Sequence, residues 1–253
     1  MTKVTLKIFA VIEFIAKRGG AGVLPNDLVK ALGLNQATCI RILKELVSLG
    51  YLEQISRQHG YVIGPMAHWL ARTARYKKDL LALAEPLVAE LARREKQSVL
   101  IASLHEGRRT ILCHHNFNPA VHPEVDAPWY EDQYLTATGQ VLLAYAESAV
   151  REAVLKRQGP PKLGPWKGLS SLAALERECE RIRKAGFVAM EGALTGLFIT
   201  AFPLFHEGAV EAAIGMSVPL AEARGARAAH FTAALRDCAA RINRERNPAS
   251  SVG

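Results

Sequence analysis

Between residues 25 and 50 two apolar-periodic segments follow one another with only Gly33, Leu34 and Asn35 between them. Pro25 has the fixed φ that suits a first helical position, and the segment it opens runs through Asp27, Leu28 and Ala31 to Leu32. Gly33 then breaks the helix, because glycine takes left-handed backbone geometry without a Cβ clash. Asn35 can cap a second helix predicted over residues 36–49, which Gly50 ends. Two helices joined by so tight a glycine turn form a helix-turn-helix. No other stretch of the 253 residues restricts the fold as strongly.

The flanks extend that unit. Residues 5–16 predict an amphipathic helix with Leu6, Phe9, Ala10, Ile12, Glu13 and Ile15 on one stripe, closed by Gly19, Gly20 and Gly22. After the second helix of the pair comes YLEQISRQHGYVIG, a hairpin with strands at 51–55 and 61–63 and a polar loop at 56–60. At 100° per residue the helix over 36–49 gathers Cys39, Ile40, Ile42, Leu43, Leu46 and Val47 on one side. Ala37, Thr38, Arg41, Lys44, Glu45 and Ser48 fall on the other. An ordinary amphipathic helix gives the same split of faces. The tight turn before it and the charge around it favour a base-reading helix, which reads bases with its first residues and holds phosphates further along.

Charge is placed to match. Residues 1–78 carry 12 Lys or Arg against 4 Asp or Glu, whereas residues 79–253 carry 20 of each, so the whole formal excess of +8 sits in the first third. Cations concentrated on one small domain are the footprint of phosphate binding, although a solvated basic face without a partner gives the same count. The candidate DNA contacts are Asn35, Gln36, Ala37, Thr38, Arg41, Lys44 and Ser48, with Arg57 and His59 on the hairpin loop.

The remainder reads as α+β. A basic helix over 66–78 turns Trp69, Leu70 and Ala74 inward and Arg72, Arg75, Lys77 and Lys78 outward, and a further helix lies near 80–95. Strands are predicted at 98–104 and 109–115, turning on His105-Glu106-Gly107-Arg108, and at 196–205 and 209–218, turning on His206-Glu207-Gly208. Ser170 or Ser171 can cap a helix running to Ala185, with Gly186 ending it. Phe231, Leu235, Cys238 and Ile242 mark the buried face of a last helix. The domains expected are a winged helix-turn-helix at 1–65, a linker helix at 66–79, an antiparallel sheet flanked by helices at 80–246, and a loose tail at 247–253.

Several chemistries find no support. Cys39, Cys113, Cys179 and Cys238 stand far apart, without zinc or redox spacing, and read as buried reduced thiols. His114 and His115 are neighbours on a strand, so they point to opposite faces. His105, His122, His206 and His230 lack ligand spacing. No nucleophile elbow, Walker loop or dinucleotide fingerprint occurs, so no catalytic residue, metal or cofactor is assigned and an enzyme is not expected. No apolar run reaches the ~20 residues of a membrane helix. Glu13, Lys17 and Arg18 interrupt what would otherwise resemble a secretory signal, so a cytoplasmic chain without a membrane partner is expected.

The run ALGLNQATCIRILKELVSLGYLE followed by GYVIGP resembles the N-terminal domain of the IclR (isocitrate lyase regulator) family. LIASLHEGRRTILCHHN, YLTATGQVLLAYA, GLFITAFP and GAVEAAIGMSVPL resemble successive parts of that family's effector domain. The resemblance implies a transcription regulator whose GAF-like C-terminal domain binds a small molecule and which works on a palindromic operator in double-stranded DNA as a homodimer or dimer of dimers. It implies effector contacts from Thr136, Ala137, Thr138, Glu191, Ile199 and Ser217. Ile199 stands where the family commonly has cysteine, Gly215 where it has serine and Gln140 where it has lysine. A pocket short of a thiol and a hydroxyl favours a larger or more apolar organic acid, or an aromatic metabolite, over a very small oxo-acid. Trp129 and Tyr130 either wall that pocket or belong to the core. The competing readings are an architectural or interaction module whose C-terminal domain has lost ligand binding, and an enzyme with an accessory DNA-binding domain.

Overall fold

The computed structural model describes residues 3–73, 76–122, 127–192 and 195–247. The chain divides into two compact units, Met1–Tyr76 and Lys77–Gly253.

In the first unit α1 (Lys3–Ala16), α2 (Pro25–Leu32) and α3 (Gln36–Ser48) precede a hairpin of β1 (Leu52–Ser56) and β2 (Gly60–Ile63), and α4 (Pro65–Thr73) closes it. Gly33 takes φ 62° at the end of α2, and Asn35 Oδ1 accepts from the Thr38 N–H at 2.7 Å, so the turn and cap form as the sequence demands. The core joins Val11 and Ile15 of α1 to Leu28, Cys39, Ile42, Leu43, Leu46, Leu52 and Tyr61. Two apolar stripes compete on α1, and the buried one runs Ile8, Val11, Ile12, Ile15; Leu6 and Phe9, expected inward, are 52% and 55% exposed. The α3 stripe is likewise narrower than expected, with Ile40 and Val47 at its exposed margins. Val23 bridges Tyr61 through two backbone hydrogen bonds of 2.9 Å, adding a third extended segment to the hairpin. Gly22 is needed for that approach, because a Cβ there would lie 1.7 Å from the His59 carbonyl oxygen.

The region expected as a linker helix over 66–79 holds α4 and the first residues of α5 (Lys78–Glu95), and Ala74 and Arg75 lie outside the described residues. Trp69 and Leu70, expected inward, are exposed; α4 has no buried residue, because its apolar side finds no layer within its unit.

The second unit continues with β3 (Ser98–His105), β4 (Arg108–Asn116), α6 (Ala137–Tyr145), α7 (Ser148–Gln158), α8 (Leu172–Ala185), β5 (Val188–Glu191), β6 (Leu197–His206), β7 (Ala209–Pro219) and α9 (Ala226–Arg246). The strands form one antiparallel sheet in the order β4-β3-β7-β6-β5. Alternation along each strand sends Val99, Ile101, Phe202, Ile214 and Met216 toward α5 and α9. Leu100, Ala102, Val188, Ala201 and Ala213 face the other way, toward α6 and α8. The domain is therefore an α+β sandwich with helices on both faces of the sheet. Ser171 caps α8 and Gly186 ends it at φ 76°. On α9, Phe231, Leu235 and Ile242 are buried as predicted. Of the expected tail, Asn247 is tied to Phe205 and Glu207 by hydrogen bonds, and residues 248–253 lie outside the described residues.

Candidate functional site

The first unit presents one edge of α3 to solvent. Gln36, Ala37, Arg41, Lys44, Glu45 and Ser48 are exposed and Thr38 is half-buried, while Cys39, Ile42, Leu43 and Leu46 are buried beneath them. Burying such an aliphatic side chain contributes about 1.5–3 kcal/mol, which fixes the rotation of the helix and so the outward edge. Two of the expected DNA contacts also serve the helix itself. Asn35 spends its amide oxygen on the cap, and the Ser48 hydroxyl donates to the Glu45 carbonyl at 2.7 Å. In the hairpin loop Arg57 and His59 are exposed. The Ser56 hydroxyl accepts from the Gln58 and His59 N–H groups and meets His59 Nδ1 at 2.9 Å, so His59 is held in place.

In the second unit, β6 and β7 put Ile199 opposite Ser217 on the α6-facing side of the sheet. Thr138, 4% exposed in the first turn of α6, closes over Gly215 on the same side. Thr136 is the cap of α6, its hydroxyl accepting from the Gly139 N–H at 3.2 Å, and Ala137 is buried beside it. The sheet register separates Glu191 from this group. Glu191 pairs with Phe198 and Met190 with Ile199, so strand alternation turns Glu191 to the face opposite Ile199 and Ser217. Gln140 is buried and donates to the Tyr134 carbonyl, holding the segment before α6.

Sequence reasoning passed over two residues of this face. Ser98 is the cross-strand partner of Ser217, is 2% exposed, and its hydroxyl meets His114 Nε2 at 3.0 Å. Burial, then the neighbouring His115, pushes the His114 pKa down, favouring the neutral imidazole. His115 points to the other face, 3.5 Å from Glu85 of α5. Ser98, His114 and Ser217 thus form a polar row beside apolar Leu100 and Ile199. No carboxylate among the described residues bonds His114 to complete a catalytic triad. The signal in the sequence was a pair of serines far apart in the chain, and it needed the register of β3 on β7 to be read.

Two polar networks brace the domain, one at each end of the β3–β4 hairpin. Gln97 and Asn118, both buried, bond to each other and to Glu222 at 2.8–3.1 Å, tying the start of β3 to the segments after β4 and β7. Arg109, 5% exposed, is held by both oxygens of Asp132 and lies over the Tyr130 ring. Trp129 is exposed and carries Arg108 above its ring, so it is not a core aromatic. A groove of about 310 Å³ on the α6-facing side of the sheet lies toward the β3–β4 turn, away from Ser98 and Ser217, lined by Leu104, Leu142, Tyr145 and Val210. Burial raises the thiol pKa of Cys113, Cys179 and Cys238 to about 11. Among the described residues no three metal-capable side chains converge, and no helix is long and apolar enough to cross a membrane.

Residues 73–244 match the family described as Bacterial transcriptional regulator IclR C-terminal, and residues 4–60 match the MarR family. The chain is 25% identical over 225 residues to the Glycerol operon regulatory protein of Streptomyces griseus, covering 87% of each chain. It is 24% identical over 244 residues to the HTH-type transcriptional regulator KdgR of Escherichia coli (strain K12), covering 94% of this chain and 90% of that one. Its fold is shared by an IclR transcriptional regulator from Alicyclobacillus acidocaldarius (TM-score 0.74, 20% identity, 96% and 98% of the two chains). It is shared equally by an IclR homologue complexed with 4-hydroxybenzoate from Microbacterium hydrocarbonoxydans (TM-score 0.74, 23% identity, 94% and 99%). With a helix-turn-helix at its N-terminus and the family's C-terminal domain matched over most of its length, the chain belongs to the IclR family of bacterial transcriptional regulators.

Proposed function

We propose that α3 reads an operator in the major groove, that Arg57 and His59 hold the flanking backbone, and that an effector bound on the α6 face of the sheet changes operator affinity. One observation carries the DNA reading: Gln36, Ala37, Arg41 and Lys44 stand exposed along one edge of α3, while its opposite edge is core. A homodimer or dimer of dimers on a palindromic site would place two such helices ~34–36 Å apart. Exposed Leu6 and Phe9, about one turn apart on α1, and exposed Trp69 and Leu70 on α4 are large apolar side chains that self-association would cover. The effector reading favours an organic acid or aromatic metabolite. The 4-hydroxybenzoate complex of the Microbacterium homologue supports it, as does the mixture here of Leu100 and Ile199 with Ser98, Ser217 and His114. An effector shifts operator affinity only by the difference in its own affinity for the two states of the protein.

Binding to operator and random duplexes tests the first part. Arg41→Ala is expected to remove about 1–3 kcal/mol of sequence preference, and Lys44→Ala to weaken all duplexes alike and flatten the salt dependence. Equal loss on specific and random DNA for Arg41→Ala would remove the assignment of α3. Thermal-shift measurement with 4-hydroxybenzoate and small carboxylates tests the second part. A ligand-free interaction module is the second reading, favoured by one observation: the Thr138 methyl fills the space above Gly215. Absence of stabilisation by any of these compounds would select it.

A further inference from the structure

The first turns of α2 and α3 lie side by side. Gln36 Nε2 donates to Asn26 Oδ1 at 3.3 Å, and one turn along, the Cys39 thiol donates to the Pro25 carbonyl at 3.7 Å. Asn26 follows the first residue of α2, Gln36 opens α3, and both are exposed.

A primary amide carries one acceptor oxygen and two N–H donors, and its terminal torsion is broad and roughly two-fold. Free on a surface, a glutamine therefore offers either orientation. Here Gln36 cannot turn alone, because its oxygen would then face the Asn26 oxygen, acceptor against acceptor. With one N–H engaged, Oε1 and the second N–H remain as an outward acceptor–donor pair. Adenine presents the complement in the major groove, an N6–H donor beside the N7 acceptor, whereas guanine presents two acceptors.

We propose that Asn26 is a positioning residue for base recognition, orienting the Gln36 amide so that it reads adenine at one operator position. The inference rests on α3 being the DNA-reading helix. Its contribution is to specificity: Asn26 acts through Gln36, and its removal leaves the phosphate contacts of the domain unchanged.

Selection of the full-length protein against a random double-stranded DNA library, followed by anisotropy titration of single-base operator variants, tests it. The wild type is expected to prefer adenine about ten-fold or more at the position that Gln36→Ala makes indifferent. Asn26→Leu is expected to cut that preference to about two-fold or less, with random-duplex affinity within about two-fold of wild type. Asn26→Asp is acceptor-only, so Gln36 must still donate to it. That variant keeps the adenine preference while losing affinity uniformly through phosphate repulsion. Asn26→Leu added to Gln36→Ala should cost no further specificity. If the wild type enriches a motif and Asn26→Leu keeps its base profile, this inference alone is overturned. A guanine at that position means the two amides bind reversed, which overturns the adenine assignment. If the wild type enriches no motif, the DNA reading of α3 itself fails.

Discussion

Adding a single methyl group at Gly215 tests how closely α6 is locked onto the sheet. A Cβ there would lie 2.6 Å from Thr138 Cγ2, against ~3.5–4.0 Å for carbon atoms in good contact, an overlap of about 1 Å. The helix has little freedom to retreat, since its residues from Ala137 to Ala144 are all buried and Thr136 caps it from below. Thr138 is β-branched, so its own χ1 gives little relief. Gly215→Ala is expected to destabilise by about 2 kcal/mol, within the ~1–3 kcal/mol of overpacked cores. At ~2–4 °C per kcal/mol for a domain of this size, Tm falls by about 4–8 °C. Thr138→Ser removes the opposing methyl and alone costs about 1 kcal/mol. In the double variant the new methyl occupies the vacated space, so the combined loss is smaller than the sum, with a coupling of about 1–2 kcal/mol. Denaturant unfolding of the four proteins measures the cycle. A Gly215→Ala protein as stable as wild type, or a double variant showing simple additivity, would refute the argument. The same overlap explains why a serine, expected there from the family resemblance, is not accommodated beside Thr138.

Asp132→Ala leaves the buried Arg109 guanidinium without its carboxylate and is expected to cost about 3 kcal/mol by chemical denaturation, whereas Asp132→Glu should recover part of it. Because His114 has a lowered folded-state pKa, the unfolded chain binds more protons below its own value of ~6.5. Stability should therefore fall as pH drops from about 6.5 through the lower folded-state value, and His114→Gln should flatten that part of the profile in urea titrations at stepped pH. Glu106, in the turn between β3 and β4, holds φ 49°, a left-handed geometry that asparagine tolerates better. Glu106→Asn is expected to raise stability by about 0.5–1 kcal/mol in thermal unfolding.

What could be read from the sequence was set by neighbours along the chain. Gly33 and Asn35 fix the helix-turn-helix because a left-handed turn and a side-chain cap act within four residues. The hairpins turned where predicted, and His114 and His115 diverged as strand alternation demands. The last helix buried its 231–235–242 stripe because one period dominated it. On α1 two stripes sharing Ile12 and Ile15 competed, and only packing against α2 and β2 chose Ile8 and Val11 over Leu6 and Phe9. The short strand β5 and the helix α7 carried too weak a period to be assigned, and the register of β5 is what turned Glu191 away from Ile199. Ser98 meets His114, Arg109 meets Asp132, and Thr138 meets Gly215 across separations that no local pattern encodes. Composition and period thus determined most of the elements and which domain carries the charge. Pairing between distant strands, where a one-residue slip reverses every side chain, decided which residues share the candidate effector face.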